Sequence, residues 1–215
     1  MANRDLQLNS PYTAAVTGCG FMLDEFNAAL PLLMNENADA LLKQDAEEGE
    51  HIRISAKASR SRAINEFKRR FNSVPRSFWE TYVDLSQSAK RLAYFFVLLK
   101  TYRIYFDFQV DAVRKKWNSF SQAITKNDLL SLLSDIACRD EFVDTWSDTT
   151  RDRVASSYLA ALRKVGFLKD KSDNLQKPDY SNSDYALFVR IGEPWFLDAM
   201  LLEPYQIEDI KSTVL

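Results

Sequence analysis

Glycine is scarce in this chain, five in 215 residues, and proline is hardly commoner at six. So few chain-breakers leave little room for the repeated tight turns of a β-sandwich or barrel. Two cysteines, Cys19 and Cys138, are too few for a disulfide framework or a thiolate metal cluster, and both read as small apolar fillers. The lone histidine, His51, has no second histidine for a metal pair and reads as a solvent-exposed structural residue. A Walker-type phosphate loop, a GxGxxG fingerprint, a GxSxG elbow and an HExxH helix are all missing. Carboxylate neighbours such as Glu47 and Glu48 exist, but nothing in the sequence puts them in a cleft. The chain is therefore expected to be no enzyme, with no metal and no cofactor.

Long apolar runs are missing too. The longest is Leu92 to Leu99, LAYFFVLL, closely bracketed by Arg91 and Lys100. A bilayer-crossing helix needs roughly 20 such residues. The opening MANRDLQLNSPYTAA lacks the continuous apolar stretch of an export signal. A soluble, cytoplasmic protein is the expectation. Net charge excludes a polycation: 28 basic side chains face 30 acidic ones, for a formal −2. Any nucleic-acid binding must work through segregated patches, so local charge distribution matters more than the total.

What is present is helical periodicity, with 46% hydrophobic residues and few alternating β-branched runs. A polar arm ends in TGCG before a helix beginning near Phe21, which Pro31 breaks or restarts. Residues 36–50 carry six carboxylates against Lys43 and read as a solvated acidic face. The sign then reverses: Arg53, Lys57, Arg60, Arg62, Lys68, Arg69 and Arg70 are opposed only by Glu66. Ser59 or Ser61 caps a helix with Ala63, Ile64, Phe67 and Phe71 inward, Arg62 and Arg69 outward, and Lys68 and Arg70 on its flanks. This is one candidate phosphate-contacting surface, equally legible as a solvated face. From Pro75 to Phe120 twelve aromatic residues, from Phe78 and Trp79 to Trp117 and Phe120, recur at helical spacing. A core shared by long helices accounts for them better than base-stacking platforms. Arg114, Lys115 and Lys116 form a small cationic cluster at its end.

The most telling stretch is WSDTTRDRVASSYLAALRKVGFLKD, residues 146–170. At about 100° per residue, Val154, Ala155, Tyr158, Leu162 and Val165 share one face. Thr149, Arg153, Ser156, Ser157, Ala160, Arg163 and Lys164 lie opposite. A helix entering a groove roughly 12 Å wide needs short side chains along its ridge and cations at its sides. Asp148 or Ser147 caps the start and Gly166 ends it. A surface helix with a polar outer side has the same pattern. Before it, TKNDLLSLLSDIAC opens with a Thr-x-x-Asp cap and repeats Leu129, Leu132, Leu133 and Ile136. A short helix from Glu141 to Trp146 follows. After the long helix, Lys169, Lys171 and Lys177 surround turn formers in a stretch that reads as two short strands. The order is that of a winged helix-turn-helix. Two amphipathic pieces split by Gly192 and Pro194, and a loose tail, complete the chain.

These pieces predict an all-α, multi-helix globular fold in three parts. Residues 1–74 form an N-terminal helical part with the basic helix, 75–122 the aromatic-rich shared core, and 123–215 a winged helix-turn-helix with terminal helices. The segments YTAAVTGCGFML, RSRAINEFKRRF, FWETY, AVRKKW and the 146–170 helix resemble the A protein of bacteriophage exclusion (BREX) systems, from about Tyr12 to Tyr180. The resemblance implies a small, non-enzymatic, all-helical core component of phage defence, carrying two helix-turn-helix motifs and binding double-stranded DNA. It also implies a site-specific DNA methyltransferase, a large ATPase and an alkaline-phosphatase-like protein as company. The expected DNA contacts are Arg53, Lys57, Arg60, Arg62, Lys68, Arg69, Thr149, Arg153, Ser156, Ser157, Arg163, Lys164, Lys169 and Lys171. Binding is expected to be phosphate-led, by a monomer, with weak sequence preference. A protein-interaction adaptor that docks the methyltransferase or ATPase, and an RNA-binding antitermination-like protein, are the alternative readings.

Overall fold

In a computed structural model, which describes residues 2–169 and 171–214, the chain is mostly helical and contains no β-sheet among those residues. The helices are α1 (Ala2–Asn9), α2 (Leu23–Leu33), α3 (Ala38–Glu48), α4 (Lys57–Phe71), α5 (Arg76–Tyr82) and α6 (Gln87–Thr101). Then come α7 (Arg103–Asp107), a π-helical turn (Phe108–Val113), α8 (Arg114–Trp117), α9 (Lys126–Ala137), α10 (Glu141–Asp144) and α11 (Asp148–Val165). The last three are α12 (Asn182–Arg190), α13 (Trp195–Ala199) and α14 (Pro204–Ser212).

Helix α6 contains the LAYFFVLL run, and every residue from Leu92 to Leu99 is buried. A helix that is apolar all round must be covered all round, and three consecutive rings show by what. Tyr94 packs against Phe26 of α2 and Phe21, Phe95 against Phe167 and Phe196, and Phe96 against Phe78, Phe188 and Phe196. The run is thus the central core helix. No helix among the described residues is long and apolar enough to cross a membrane.

Local capping sets several helix starts. Ser86 accepts from the Ala89 N–H, Ser147 from the Thr150 N–H, and Thr125 with Asp128 and Ser181 with Asp184 form reciprocal capping boxes. Helix α4 starts at Lys57, earlier than Ser59 or Ser61 would cap it, and its N-cap residue, Ala56, makes no side-chain cap. Pro31 does not break α2 as expected. The helix runs on to Leu33, because near the C-terminal end the missing N–H affects only the last turn.

The expected β-hairpin after α11 is reduced to isolated bridges. Leu168 pairs with Leu175 and Ala123 with Asn174, both antiparallel. The segment 173–176 lies between the two, with Ile124 N–H on the Asp173 carbonyl at 2.8 Å, Leu175 N–H on Gln122 at 2.7 Å and Gln176 N–H on Phe167 at 2.9 Å. Pro178 follows at once and has no N–H to donate, so the ladder cannot lengthen. The "loose tail" is also more ordered than expected, since α14 packs on α12.

The polar arm before α2 is built into the body. Val16, Cys19 and Phe21 are buried, and the arm bends at Met22, which has a left-handed φ of 41°. For a non-glycine residue that conformation costs about 1–3 kcal/mol and needs support. The support is Arg70, expected on a helix flank but fully buried. Its Nη2 donates to the carbonyls of Cys19 and Gly20, the latter at 2.8 Å, and its Nη1 to Phe21 at 3.3 Å and to the Tyr94 hydroxyl at 2.6 Å. Its Nε donates to the Tyr102 hydroxyl at 2.9 Å, which in turn donates to Glu66. Three successive carbonyls converge on one guanidinium because the chain turns at Met22. The rings of Tyr94 and Tyr102 stand 5.6 and 5.4 Å from its centre and favour the cation further.

Replacing Arg70 by Met would strand three carbonyls and two phenols in the core. The expected loss is about 3 kcal/mol or more in urea unfolding, with Arg70→Lys recovering less than half because an ammonium lacks the fork. A loss under about 1 kcal/mol for Arg70→Met would contradict this assignment.

Candidate nucleic-acid interface

Helix α11 is packed on three sides, by α9, by α6 and by the short 3₁₀ turn Ala15–Thr17 of the arm. Val154, Ala155, Tyr158, Leu162 and Val165 are buried as their periodicity demands, together with Leu159 and Ala161. What stays open is a narrow ridge: Thr149, Arg153, Ala160 and Lys164 are exposed and Ser156 half-buried, at spacings of three and four residues. Such positions stack along one line of a helix. Neither Arg153 nor Lys164 forms an ion pair among the described residues. Arg163 lies beside the ridge, within 3.9 Å of Asp173, a long and exposed pair of small energy. Ser147 and Gly166, in the left-handed region at φ 98°, set the two ends.

Ser157 lies off the ridge. Its hydroxyl donates to the Val16 carbonyl at 3.1 Å and accepts from the Tyr105 phenol at 2.8 Å, so it fastens the arm to α11. Gly20 sits so close that a Cβ there would stand 3.2 Å from the Ser157 oxygen. The arm is therefore clasped between α11 on one side and Arg70 of α4 on the other. Periodicity placed Ser157 outward because a wheel cannot register a neighbour from residues 13–20.

The cations of α4 divide into three groups. Arg60 is only 6% exposed and donates to the carbonyls of Asp45, Ala46, Glu47 and Ile54, closing the C-terminal end of α3. That leaves it no free face for a ligand. Gly49, at φ 69°, lets the chain pass over the guanidinium, since a Cβ there would stand 2.8 Å from it. Lys57, exposed, and Lys68, half-buried, are bridged to Glu47 and Asp39 of α3. Exposed pairs of this kind add little stability, yet each holds a carboxylate where a phosphate would have to sit. The acidic segment 36–50 is thus not wholly a solvated face: it neutralises part of the basic helix packed beside it. Arg62 and Arg69 remain outward. Arg62 donates to the Ala58 carbonyl of its own helix, and Arg69 reaches Thr13 of the arm at 3.4 Å and Glu66 at 3.7 Å.

Arg53 is exposed in a shallow hollow with Asp24, Glu25, Glu50 and His51, acidic surroundings for a phosphate contact. Lys169 and Lys171 are exposed on the turn after α11, Lys171 in the left-handed region at φ 60°. Arg91, at the start of α6, is exposed and lines the same hollow as Lys164, together with the carboxylates Asp24 and Glu25. Sequence reasoning passed over it as the flank of an apolar run, and only the packing of α11 on α6 brings it beside the ridge. Cys138 is exposed, not a filler, because it caps the open end of α9; Cys19 is buried, which pushes its thiol up to about 11.

Asp45 fastens the loop that carries Arg53 into α4. It accepts from the N–H groups of His51 at 2.7 Å and Ile52 at 3.1 Å and meets the His51 ring at 3.0 Å. Burial alone would raise its carboxyl, but these donors outweigh it and hold it below the ordinary 3.8.

The comparisons with known proteins agree with this architecture. A family model described as BrxA matches residues 10–183. A crystal structure of an uncharacterized protein from Magnetospirillum magneticum superposes with a TM-score of 0.74 at 20% identity, covering 89% of this chain and 98% of that one. At that identity the likeness speaks for the fold alone. No curated protein matches the chain.

The Asp45 geometry has a pH signature. A carboxyl lowered by folding contributes stability above the unfolded value of about 3.9 and loses it as pH falls through the lower, folded value. Unfolding free energies of wild type and Asp45→Asn are expected to differ at pH 7 and to converge below about pH 4. A difference that persists unchanged at pH 3 would contradict the role given to the carboxylate.

Proposed function

We propose that this chain, which belongs to the BrxA family of bacteriophage exclusion (BREX) defence proteins, is a non-catalytic double-stranded DNA-binding component of such a system. The observation that carries the reading is the open ridge of α11. Short side chains at Thr149, Ser156 and Ala160 allow the helix to approach a groove closely, and Arg153 and Lys164 stand ready for phosphates on either side. In this reading α9, α10 and α11 act as a helix-turn-helix and the bridged turn 168–175 as a minimal wing. Lys169 and Lys171 on that turn reach the adjacent backbone. Arg163 joins once the phosphate displaces its weak partner Asp173, and Arg91 extends the track beyond Lys164. Across the arm, Arg69 and Arg62 add a second contact region, because Arg69 touches the same arm that Ser157 fastens to α11. Arg53, Lys57 and Lys68 contribute less, their positions being shared with carboxylates, and Arg60 and Ser157 serve the scaffold.

Few groups on the ridge can read base edges. Binding is therefore phosphate-led, with weak sequence preference, by a monomer in the bacterial cytoplasm. Methyltransferase, ATPase and phosphatase-like components of the same system are the fitting protein partners.

Fluorescence anisotropy on a short duplex across a salt series tests the assignment. With five or six phosphates neutralised, the logarithm of the binding constant should fall against log salt with a slope of about −5. Arg153→Glu with Lys164→Glu should weaken binding by about tenfold or more and flatten the slope by roughly two. Unchanged binding in the double variant would refute the residue assignment. A wild-type chain that ignores duplex DNA at low salt would refute the function and leave the ridge as a face for an acidic partner protein. Preference for matched duplex RNA would favour the RNA-binding reading.

A further inference from the structure

Phe120 is the exception in the aromatic stretch 75–120. Its rings otherwise fill the core, but this one is 109% exposed, more open than Leu8, Val83 or Tyr205, so it sheds no area on its own fold. The ring is nevertheless presented on a fastened loop. Ser119 Oγ has the carbonyls of Lys116 at 2.8 Å and Ser121 at 2.9 Å as acceptors for its one proton, and Gln122 Nε2 donates to Trp117 at 3.0 Å. The Gln122 carbonyl in turn accepts from the Leu175 N–H at 2.7 Å. A single exposed apolar side chain is ordinary. What sets this one apart is its address. Two residues separate it from Ala123, which bridges to Asn174, so its loop is tied to the turn that follows α11 and carries the exposed Lys169, Lys171 and Asp173.

We propose that Phe120 is a groove-inserted wedge: its ring presses against a base step of the duplex while Lys169 and Lys171 hold the flanking phosphates. Proteins that unstack a step from the minor groove combine an apolar side chain with cations for the phosphates, and the bridged loop and turn carry one exposed ring and two exposed lysines. The inference rests on the reading of α11 as a DNA-contacting helix and adds a contact that releases no counterions. Apolar insertion must therefore change affinity and leave the salt slope alone.

The experiment uses the full chain and a duplex carrying 2-aminopurine, whose fluorescence rises on unstacking. The wild type should raise that fluorescence. Phe120→Ala should bind about tenfold more weakly, as loss of one aromatic–base contact does, with an unchanged salt slope and no fluorescence rise. Phe120→Trp should restore both. Because the side chain is exposed, the thermal midpoint of Phe120→Ala should match the wild type. If the wild type binds and Phe120→Ala matches it in affinity and fluorescence, the wedge is refuted while the DNA-binding function stands; the same result would follow if the ring served a protein partner. If the wild type does not bind DNA, both readings fall.

Discussion

A single guanidinium holds together the two halves of the candidate surface. Arg70 is charged, fully buried and without a carboxylate in direct contact, and its partners come from three places: the arm at Cys19–Phe21, and Tyr94 and Tyr102 at either end of the buried run of α6. A buried cation must be matched by oxygen acceptors at close range. That requirement forces the arm to turn back at Met22 and to lie against α4. The same arm is then close enough for Gly20 and Val16 to meet Ser157 of α11. Two helices distant in sequence, each carrying outward arginines, are thereby locked to one short segment.

Electrostatics inside the fold selects which cations remain for a ligand. Helix α3 packs on α4 and supplies Glu47 and Asp39 to Lys57 and Lys68, while Arg60 closes the end of α3. On α11 the ridge cations Arg153 and Lys164 have no such partner among the described residues. A chain with formal net charge −2 can thus still offer a polyanion a local positive track.

Local signals were read well and distant ones poorly. The capping box at Thr125, the Ser147 and Gly166 ends of α11 and its buried face follow from neighbours within a few residues. The all-helical character follows from periodicity and the scarcity of glycine. Arg60, Arg70 and Ser157 were misplaced because all but one of their partners lie 13 to 141 residues away, and no helical wheel contains them. Phe120 was grouped with the core rings by spacing, although its loop lies outside any helix. One long-range signal was legible but read differently: six carboxylates followed at once by seven cations is the pattern of two helices that pair, as α3 and α4 do.

In the proposed complex the Arg70-clasped arm brings α4 and α11 to bear on one duplex. Cys138→Ser removes the exposed thiol, and a single cysteine then placed at Arg69 or at Arg153 can carry an iron–EDTA group that cleaves nearby DNA backbone. Both positions are expected to cut the same bound duplex at sites within one helical turn of each other. Cleavage from position 153 alone, or at sites several turns apart, would contradict it.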